Sequence, residues 1–309
     1  MFKILSVDGG GFRGVYAAHI LKRIEEEYQV DWTRDFDMII GTSTGSIIAA
    51  GLVFGLRASE IARMYEGFGK SVFKKKWFCR SKWFGWIPSL FASPYNAGNL
   101  KKELDKIFGN KRLGDYSFPL IIPATDIGNG SVYVFKTQYD SDFVRDKDIK
   151  VSDAVLSSCS APAYFDPHQT DKYLLADGGL WANSPGLVAT IDAKYRLHKS
   201  LDELRILSVG TGESRSFYSM GKSWCGWGFL TRWNREQLIA TILNLQAQSA
   251  NNMLELLLNR DQILRINETD MNMPMDDPKL LEQLISRAEK RFTEQAQKIR
   301  TFLNKKGEL

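Results

Sequence analysis

Along the first two thirds of the chain, short apolar runs alternate with segments whose apolar residues recur at helical spacing. The apolar runs predict buried strands, and turn residues separate them from the helices. Strands are predicted at 2–7, 36–41, 119–127, 131–136, 172–179 and 204–212. Helices are predicted at 13–28, 46–55, 59–68, 98–108 and 151–161, with a further helix after 185. After residue 234 the pattern predicts two long helices, near 234–259 and 278–304, and no strand.

This order of elements predicts an α/β fold with a largely parallel central sheet flanked by helices in three layers. Several predicted strands are apolar throughout, which is typical of strands covered on both faces. Residues 1–215 are predicted to form the α/β domain. Residues 216–309 are expected to add an aromatic loop and a helical extension packed on the same core, because no linker separates the two parts.

Composition narrows the class of protein. At 309 residues the chain can build one large core, and its ordinary hydrophobic and charged fractions exclude disordered and fibrous classes. The three cysteines are widely spaced and form no CxxC pattern, which argues against disulfides or a zinc knuckle and for a reducing compartment. The N-terminus lacks signal-peptide features, and the longest apolar stretch, 46–56, is too short to span a bilayer. We therefore expect a cytoplasmic protein.

The net charge of +5 is mild, but basic residues are concentrated between 70 and 86, where no acidic residue occurs. Aromatic side chains are interleaved with these charges, and six of the eight tryptophans lie there and at 217–233. Such a segment is typical of a solvated loop, of contact with an anionic membrane surface, or of single-stranded nucleic acid. We favour the membrane and expect no DNA or RNA duplex as partner. The residues of this basic–aromatic segment that are candidates for membrane or nucleotide contacts are Lys74, Lys75, Lys76, Trp77, Arg80, Lys82 and Trp83.

A GxSxG motif follows the second predicted strand and precedes an apolar helix, which is the setting that a nucleophile elbow requires. Its serine is Ser43, and Gly41 and Gly45 flank it because the sharp turn leaves no room for side chains. The helix that begins beside Ser43 also directs its positive dipole end toward an anionic transition state. The motif predicts a catalytic serine, with an ordinary structural turn as the alternative.

A glycine-rich turn, DGGGFRG at 8–14, again separates a strand from a helix. Consecutive glycines expose the backbone amides that an oxyanion hole needs, and Arg13 adds a charge suited to a phosphate-bearing substrate. The same residues match the GxGxxG dinucleotide fingerprint. That fingerprint expects an acidic residue at the end of the second strand, but Asp37 stands at its beginning. The candidate oxyanion residues are Gly9, Gly10, Gly11 and Arg13.

An Asp-Gly-Gly turn ends the strand predicted at 172–179 and consists of Asp177, Gly178 and Gly179. In isolation it is an ordinary turn, but a serine nucleophile needs a base, which contributes roughly 10²–10⁴-fold to the rate. Histidine is the usual base, and the chain has only three, His19, His168 and His198. The α/β-hydrolase order Ser43, Asp177, His198 stays open, although the nucleophile would then follow only the second strand.

Several motifs of the chain resemble those of the patatin-like phospholipases. They are DGGGFRG at 8–14, GTSTG at 41–45, SSCSAPAYF at 157–165, DGGLWANSP at 177–185 and ILSVGTG at 206–212. The resemblance implies a Ser–Asp dyad without histidine, in which Ser43 is the nucleophile and Asp177 the base. It places the oxyanion site at the Gly9–Gly11 amides with Arg13. It also implies hydrolysis of phospholipid or galactolipid acyl esters through an acyl-enzyme, with no metal or other cofactor.

The size of the chain, its basic–aromatic segment and its helical tail also resemble the bacterial patatin-like effectors of cyclic-oligonucleotide antiphage signalling. This resemblance implies that a cyclic oligonucleotide binds the protein and switches on the degradation of membrane phospholipid. We then expect peripheral contact with the inner membrane in the active state and a homo-oligomer formed through the tail helices. Two alternatives are an oxidoreductase with a nucleotide cofactor at the first glycine turn and a catalytically silent binding protein of the same fold.

Overall fold

The computed structural model describes residues 1–73, 93–213, 218, 227, 233, 235–269 and 273–303, which build a sheet between two layers of helices. The strands are β1 (Phe2–Val7), β2 (Met38–Gly41), β3 (Leu120–Asp126), β4 (Ser131–Lys136), β5 (His168–Gln169), β6 (Leu174–Asp177), β7 (Leu204–Val209) and β8 (Ile263–Ile266). The helices are α1 (Gly14–Tyr28), α2 (Trp32–Asp35), α3 (Thr44–Val53), α4 (Ala58–Ser71), α5 (Ala97–Phe108), α6 (Val151–Cys159), α7 (Gly179–Ala182), α8 (Gly186–Arg196), α9 (Arg235–Leu257) and α10 (Leu281–Leu303). The predicted α/β class is confirmed.

The strands form one sheet in the order β5-β6-β3-β2-β1-β7-β8, with β4 also paired to β3. The pairs β1–β2, β1–β7, β2–β3 and β7–β8 are parallel. The pairs β3–β4, β3–β6 and β5–β6 are antiparallel. The described sheet is therefore mixed but mostly parallel, as the alternation of strands and helices predicts.

Side chains of β1 alternate between two hydrophobic cores because successive strand residues point to opposite faces of a sheet. Leu5 and Val7 join the core built with α1, α3, α4 and α10. Phe2 and Ile4 face the second core, to which α8 and α9 contribute. Since helices cover both faces, every residue of β1 is buried, which explains why apolar residues occur on both of its faces.

Strand β3 brings the ends of β2 and β6 together. Its pairing with β4 over Ile121–Asp126 occupies one edge, so β2 and β6 share the other. β2 pairs with the first residues of β3, from Leu120, and β6 pairs with the last ones. Because β2 runs parallel and β6 antiparallel to β3, the carboxyl ends of β2 and β6 point toward each other. The turns that carry Ser43 and Asp177 therefore converge.

The prediction that no strand follows residue 234 is wrong. Ile263–Ile266 forms β8, which extends the sheet in parallel beside β7. The strand is only four residues long and lies between two long helices. Four residues are too few for the two-residue alternation of a strand to stand out from the helical spacing on either side. The helices α9 and α10 agree with the two predicted helices, whereas the short elements α2, α7 and β5 were not predicted.

Candidate active site

Ser43 lies in the sharp turn between β2 and α3 with a φ of 53°, a positive value that residues with side chains rarely adopt. Its backbone amide donates a hydrogen bond to Ser158 Oγ at 2.9 Å, which holds the turn. The flanking glycines are required by space. A Cβ at Gly41 would lie 2.1 Å from the carbonyl oxygen of Gly45, and one at Gly45 would lie 2.3 Å from that of Val7. The strained serine between two crowded glycines has the geometry of a nucleophile elbow.

Asp177 is the last residue of β6, and only 4% of it is exposed. Its Oδ1 accepts a hydrogen bond from the Gly179 amide at 2.6 Å, and the Ser43 hydroxyl lies close enough to favour the carboxylate form. Burial raises the pKa of Asp177 to about 6, because desolvation disfavours the carboxylate more than these two groups stabilise it. A carboxyl group with this pKa beside a hydroxyl is suited to accept a proton and return it.

Backbone contacts fix the turn that carries Asp177. Its amide donates to the carbonyl oxygen of Ser160 at 3.0 Å, and Thr125 Oγ1 donates to its carbonyl oxygen at 2.8 Å. The next residue, Gly178, approaches β3 so closely that a Cβ there would lie 2.2 Å from the carbonyl oxygen of Pro123. The second motif therefore needs its first glycine for packing against the sheet.

Backbone hydrogen bonds occupy several amides of the glycine-rich turn, among them those of Gly9 and Phe12. The Gly9 amide donates to the carbonyl oxygen of Asn183 at 3.0 Å. The Phe12 amide donates to the carbonyl oxygen of Met275 at 2.7 Å. Gly9 is therefore occupied in joining the turn to the residues after α7, in contrast to the oxyanion role expected from the sequence.

The amides of Gly10 and Gly11 have no hydrogen-bond acceptor among the described residues. Both glycines line the same cavity as Ser43. Gly11 has a φ of 59°, and a Cβ there would lie 2.3 Å from the carbonyl oxygen of Met275. The oxyanion site expected at Gly9–Gly11 is thus narrowed to the two amides of Gly10 and Gly11.

Arg13 is buried beside the glycine-rich turn and does not line the cavity, contrary to the expectation that it contacts the oxyanion. Its Nε donates a long hydrogen bond of 3.5 Å to the carbonyl oxygen of Gly10. Its Nη1 has no hydrogen-bond partner in the described part of the chain. Burial lowers the pKa of Arg13 to about 10 because desolvation disfavours the cation. In this position Arg13 supports the turn on the side away from the cavity.

Ser43 and Asp177 line a cavity that is open to solvent on one side and has about 690 Å³ of empty space including that open part. Its wall is mostly apolar and is built from helices α3, α4, α5 and α9 and from the residues that follow α4. The side chains that line it include those of Ile47, Phe68, Phe73, Leu100 and Leu243. At the polar end Asn183 joins the two motif residues. An apolar cavity with a few polar groups at one end suits an acyl chain whose ester lies beside the serine.

The sequence did not mark most of the residues that line the cavity, and Asn183, Leu243 and Met275 are among these. Asn183 belongs to the DGGLWANSP segment, so its sequence did contain a signal. Leu243 and Met275 come from the part of the chain after the recognisable motifs, and nothing in their local sequence points to the cavity.

None of the three histidines lines this cavity, and all three lie within the described residues. His198 is exposed and follows α8 with a φ of 53°. His168 Nε2 lies 3.5 Å from Asp153 Oδ1, and His19 is buried on α1. The triad of Ser43, Asp177 and His198 that the sequence left open is therefore absent.

The basic–aromatic segment begins beside the cavity, since Val72 and Phe73 both line it. The residues predicted for membrane or nucleotide contact lie outside the described residues, and they are Lys74, Lys75, Lys76, Trp77, Arg80, Lys82 and Trp83. In the second aromatic segment, the described side chains form a cluster with ring centroids 5.1 to 5.6 Å apart, consisting of Tyr218, Trp227 and Trp233.

The described ranges contain no group of three or more histidine, cysteine, aspartate or glutamate side chains that could hold a metal ion. Across the same ranges, no helix is both long enough and apolar enough to cross a bilayer.

A strained serine in contact with a buried carboxyl group, at the end of an apolar cavity in an α/β fold, defines the class of serine hydrolases that act on apolar acyl substrates. The family model for patatin-like phospholipases matches residues 5–190, and the chain belongs to this family. As a member it is a lipid acyl hydrolase. The match accounts for the glycine-rich turn and removes the support for a dinucleotide-cofactor oxidoreductase.

Three curated relatives resemble most of the chain. The cGAMP-activated phospholipase of Pseudomonas aeruginosa (strain BWHPSA011 / Pa011) is 30% identical over 258 residues, covering 82% of this chain and 74% of the relative. The cGAMP-activated phospholipase of Escherichia coli (strain TW11681) is 31% identical over 278 residues, with the same coverage of 82% and 74%. The cUMP-AMP-activated phospholipase of Escherichia coli is 28% identical over 278 residues, covering 86% of this chain and 81% of the relative.

Proposed function

We propose that the protein hydrolyses acyl esters of membrane phospholipids, with Ser43 as nucleophile and Asp177 as general base. The observation that carries this proposal is the position of Ser43 beside a buried carboxyl group in one cavity, where the pKa of that carboxyl group is raised to about 6. The apolar cavity beside this pair gives the acyl chain a place to bind. The absence of histidine from the cavity lining leaves Asp177 as the proton acceptor for the serine.

In the first half of the reaction, Asp177 accepts the hydroxyl proton while Ser43 Oγ bonds to the ester carbonyl carbon. The electron pair of the carbonyl moves onto its oxygen, which accepts hydrogen bonds from the Gly10 and Gly11 amides. One well-aimed donor of this kind stabilises the transition state by about 3 kcal/mol. The carbon–oxygen bond of the ester then breaks, and Asp177 returns the proton to the departing glycerol oxygen. Water repeats these steps on the acyl-enzyme, which releases the fatty acid and restores Ser43.

The test is hydrolysis of a fluorogenic phospholipid by the wild type, Ser43→Ala and Asp177→Asn, each with and without a panel of cyclic oligonucleotides. We expect both variants to lose at least about 10²-fold in rate, the lower bound for a positioned base. His198→Ala is the matched control, because this residue belonged to the alternative triad and lies outside the cavity. Full activity in Asp177→Asn would disprove its role as base.

Labelling with a fluorophosphonate separates a working enzyme from a catalytically silent relative. A wild-type protein that is labelled at Ser43 has an activated nucleophile, and Ser43→Ala should not be labelled. If the wild type is neither labelled nor active with any nucleotide present, the silent binding protein becomes the better interpretation.

We further propose that a cyclic oligonucleotide switches on this activity in bacterial antiviral defence, within the cytoplasm. Support comes from the relatives, two of which are named as activated by cGAMP and one by cUMP-AMP. The alignments cover 82% to 86% of this chain, so they reach beyond residues 5–190, which the family model matches. A rate that stays unchanged with every cyclic di- and trinucleotide would contradict the switch and leave the dyad untouched.

We also propose that the active protein contacts the inner face of the membrane peripherally, through an apolar stripe on α9. The stripe consists of Ile242, Leu245, Met253, Leu256 and Leu257, which are all exposed. Leu243 of the same helix lines the substrate cavity. Helix α9 therefore carries the stripe and also borders the site that must receive a lipid. A bilayer is the occupant that explains both features, and self-association of a homo-oligomer through the stripe is the alternative outcome of the test described below.

A further inference from the structure

A second cavity, open to solvent on one side and with about 600 Å³ of empty space including that open part, lies between α9 and the strands β7 and β8, apart from the cavity that holds Ser43. Polar side chains dominate its lining, and they are Glu213, Gln248, Asn251, Asn252, Glu255 and Arg265. The hydrolysis of an apolar acyl ester requires no such site. The cavity is therefore a candidate for a different ligand.

The charges around the second cavity do not favour recognition of a phosphate group. Its one described cationic side chain, Arg265, already donates to Ser208 Oγ at 2.7 Å and to Asp8 Oδ2 at 2.5 Å. Glu213 lies 3.9 Å from the same guanidinium, and Glu255 adds a second carboxylate to the lining. The nearby carboxylates would repel a phosphate and largely offset its attraction to Arg265.

The side chains that remain available suit a neutral group carrying both donors and acceptors. Gln248, Asn252 and Glu255 line the cavity, are exposed at its open side and have no hydrogen-bond partner among the described residues, so a ligand would replace only water around them. Carboxamide side chains pair in a bidentate manner with the N6 and N7 atoms of adenine, and carboxylates accept from exocyclic amino groups. The lining thus has the chemistry that reads the edge of a nucleobase.

The second cavity is joined to the active site by two hydrogen-bonded connections. Arg265 binds Asp8, the first residue of the glycine-rich turn that carries the Gly10 and Gly11 amides. Asn251 Oδ1 accepts a hydrogen bond from Ser184 Oγ at 2.8 Å. Ser184 follows Asn183, which lines the catalytic cavity and whose carbonyl oxygen accepts from the Gly9 amide. A ligand that changes the position of either Arg265 or Asn251 acts directly on the oxyanion turn.

We propose that the second cavity binds the adenine base of the activating cyclic nucleotide and transmits its presence to the glycine-rich turn through Arg265 and Asn251. This inference rests on the proposed activation by a cyclic oligonucleotide. The names cGAMP and cUMP-AMP both include an AMP half, which is the half that the carboxamides of Gln248 and Asn252 would recognise.

The test compares the wild type with Gln248→Ala and Asn252→Ala in two measurements, lipid hydrolysis against nucleotide concentration and direct calorimetric binding. The probes are cGAMP, cUMP-AMP, cyclic di-AMP and cyclic di-GMP. We expect the wild type to respond to the adenine-containing nucleotides. We expect the half-maximal concentration and the Kd to rise about tenfold or more in each variant, since one bidentate base contact contributes at least that factor. Gln297→Ala, an exposed glutamine on α10, is the matched control and should leave both values unchanged.

The possible results separate this inference from the proposal on which it rests. A wild type that is activated while both cavity variants keep the wild-type half-maximal concentration overturns the cavity as the binding site but leaves the switch in place. Activation by cyclic di-GMP as strong as that by the adenine-containing probes overturns the assignment to adenine. A wild type that neither binds nor responds to any probe overturns the proposed switch and the cavity site together.

Discussion

The carboxyl group of Asp177 sets the pH range in which the proposed dyad can work. To accept the Ser43 proton it must be ionised, and burial raises its pKa to about 6. We therefore expect kcat/KM to fall about tenfold per pH unit below pH 6 and to level off above it. The measurement is a pH–rate profile on a soluble short-chain ester, so that membrane binding does not vary with pH. A flat profile down to pH 4.5 would show that this carboxyl group is not the base.

The ionisation of Asp177 is expected to lower folding stability over the same pH range in which it raises activity. The pKa of Asp177 in the folded protein lies above the ordinary aspartate value of 3.8, so the folded state holds this proton more tightly than the unfolded chain. The resulting contribution to stability is fully present below pH 3.8 and is lost as the pH rises through about 6. Above that pH the ionised carboxylate lowers stability while it enables catalysis.

Gly45 and Gly67 both lie in helices but should respond oppositely to alanine. At Gly45 a Cβ would lie 2.3 Å from the carbonyl oxygen of Val7, so the elbow must shift. Gly67 on α4 is exposed and has nothing within 4 Å of an added Cβ. We expect Gly45→Ala to lower the Tm and abolish activity. Gly67→Ala should raise stability by about 0.5–1 kcal/mol, because alanine favours helices. Thermal unfolding and the lipid assay check both, and an unaffected Gly45→Ala would contradict the crowding argument.

At the scale of elements, α9 has two faces with different tasks. Ala247, Ala250 and Leu254 are buried against the body of the protein. The apolar stripe on the other side includes Leu245, 59% exposed, and Leu256, 89% exposed. A solvent-exposed helix face of this composition is unusual unless something covers it, since soluble helices normally direct their apolar stripe toward the core.

The double variant Leu245→Gln/Leu256→Gln tests the bilayer as the occupant of the stripe. We expect its binding to phosphatidylethanolamine–phosphatidylglycerol vesicles, measured by flotation with the activating nucleotide present, to fall roughly tenfold or more, because two leucine side chains no longer enter the lipid. Val132→Gln, an exposed valine 61% accessible on β4, is the control. If instead the double variant changes the oligomeric mass and not vesicle binding, the stripe is a contact between copies of this chain.

At the scale of the whole molecule, the segment after residue 215 belongs to the main core. β8 pairs with β7 over Ile263–Ile266, and Phe292 and Ile299 of α10 join the core that also contains Leu5. The carbonyl oxygen of Met275 accepts the Phe12 amide beside the glycine-rich turn. We propose that 1–215 and 216–309 form one folding unit, in which the second part completes the site of the first.

Truncation after residue 213 tests this unity. It would expose the edge of β7 and the apolar side of α1, so we expect a fragment that lacks a cooperative thermal transition and a near-UV circular dichroism spectrum of native type. The full chain is the reference in the same experiment. A truncated protein that melts cooperatively and hydrolyses lipid would mean that the catalytic part is an independent domain.

The motifs of the site could be predicted because each is local. GTSTG at 41–45 and DGG at 177–179 combine a strand period, a glycine turn and a helix period within about a dozen residues, and each pattern depends only on neighbours along the chain. The same reasoning assigned Gly9 and Arg13 to the oxyanion site. Their hydrogen bonds are instead decided by Asn183 and by burial in the core, which no local pattern encodes.

The sequence by itself determined the alternation of strands and helices, the fold class and the residues proposed for the chemistry. These follow from side-chain periodicity and from the backbone freedom of glycine, both of which act over short distances. Only the tertiary structure decided that β2 and β6 meet on one edge of β3, that Ile263–Ile266 completes the sheet and that a polar cavity lies behind the oxyanion turn. These features depend on contacts between residues far apart in the chain, and such contacts leave no period in the sequence.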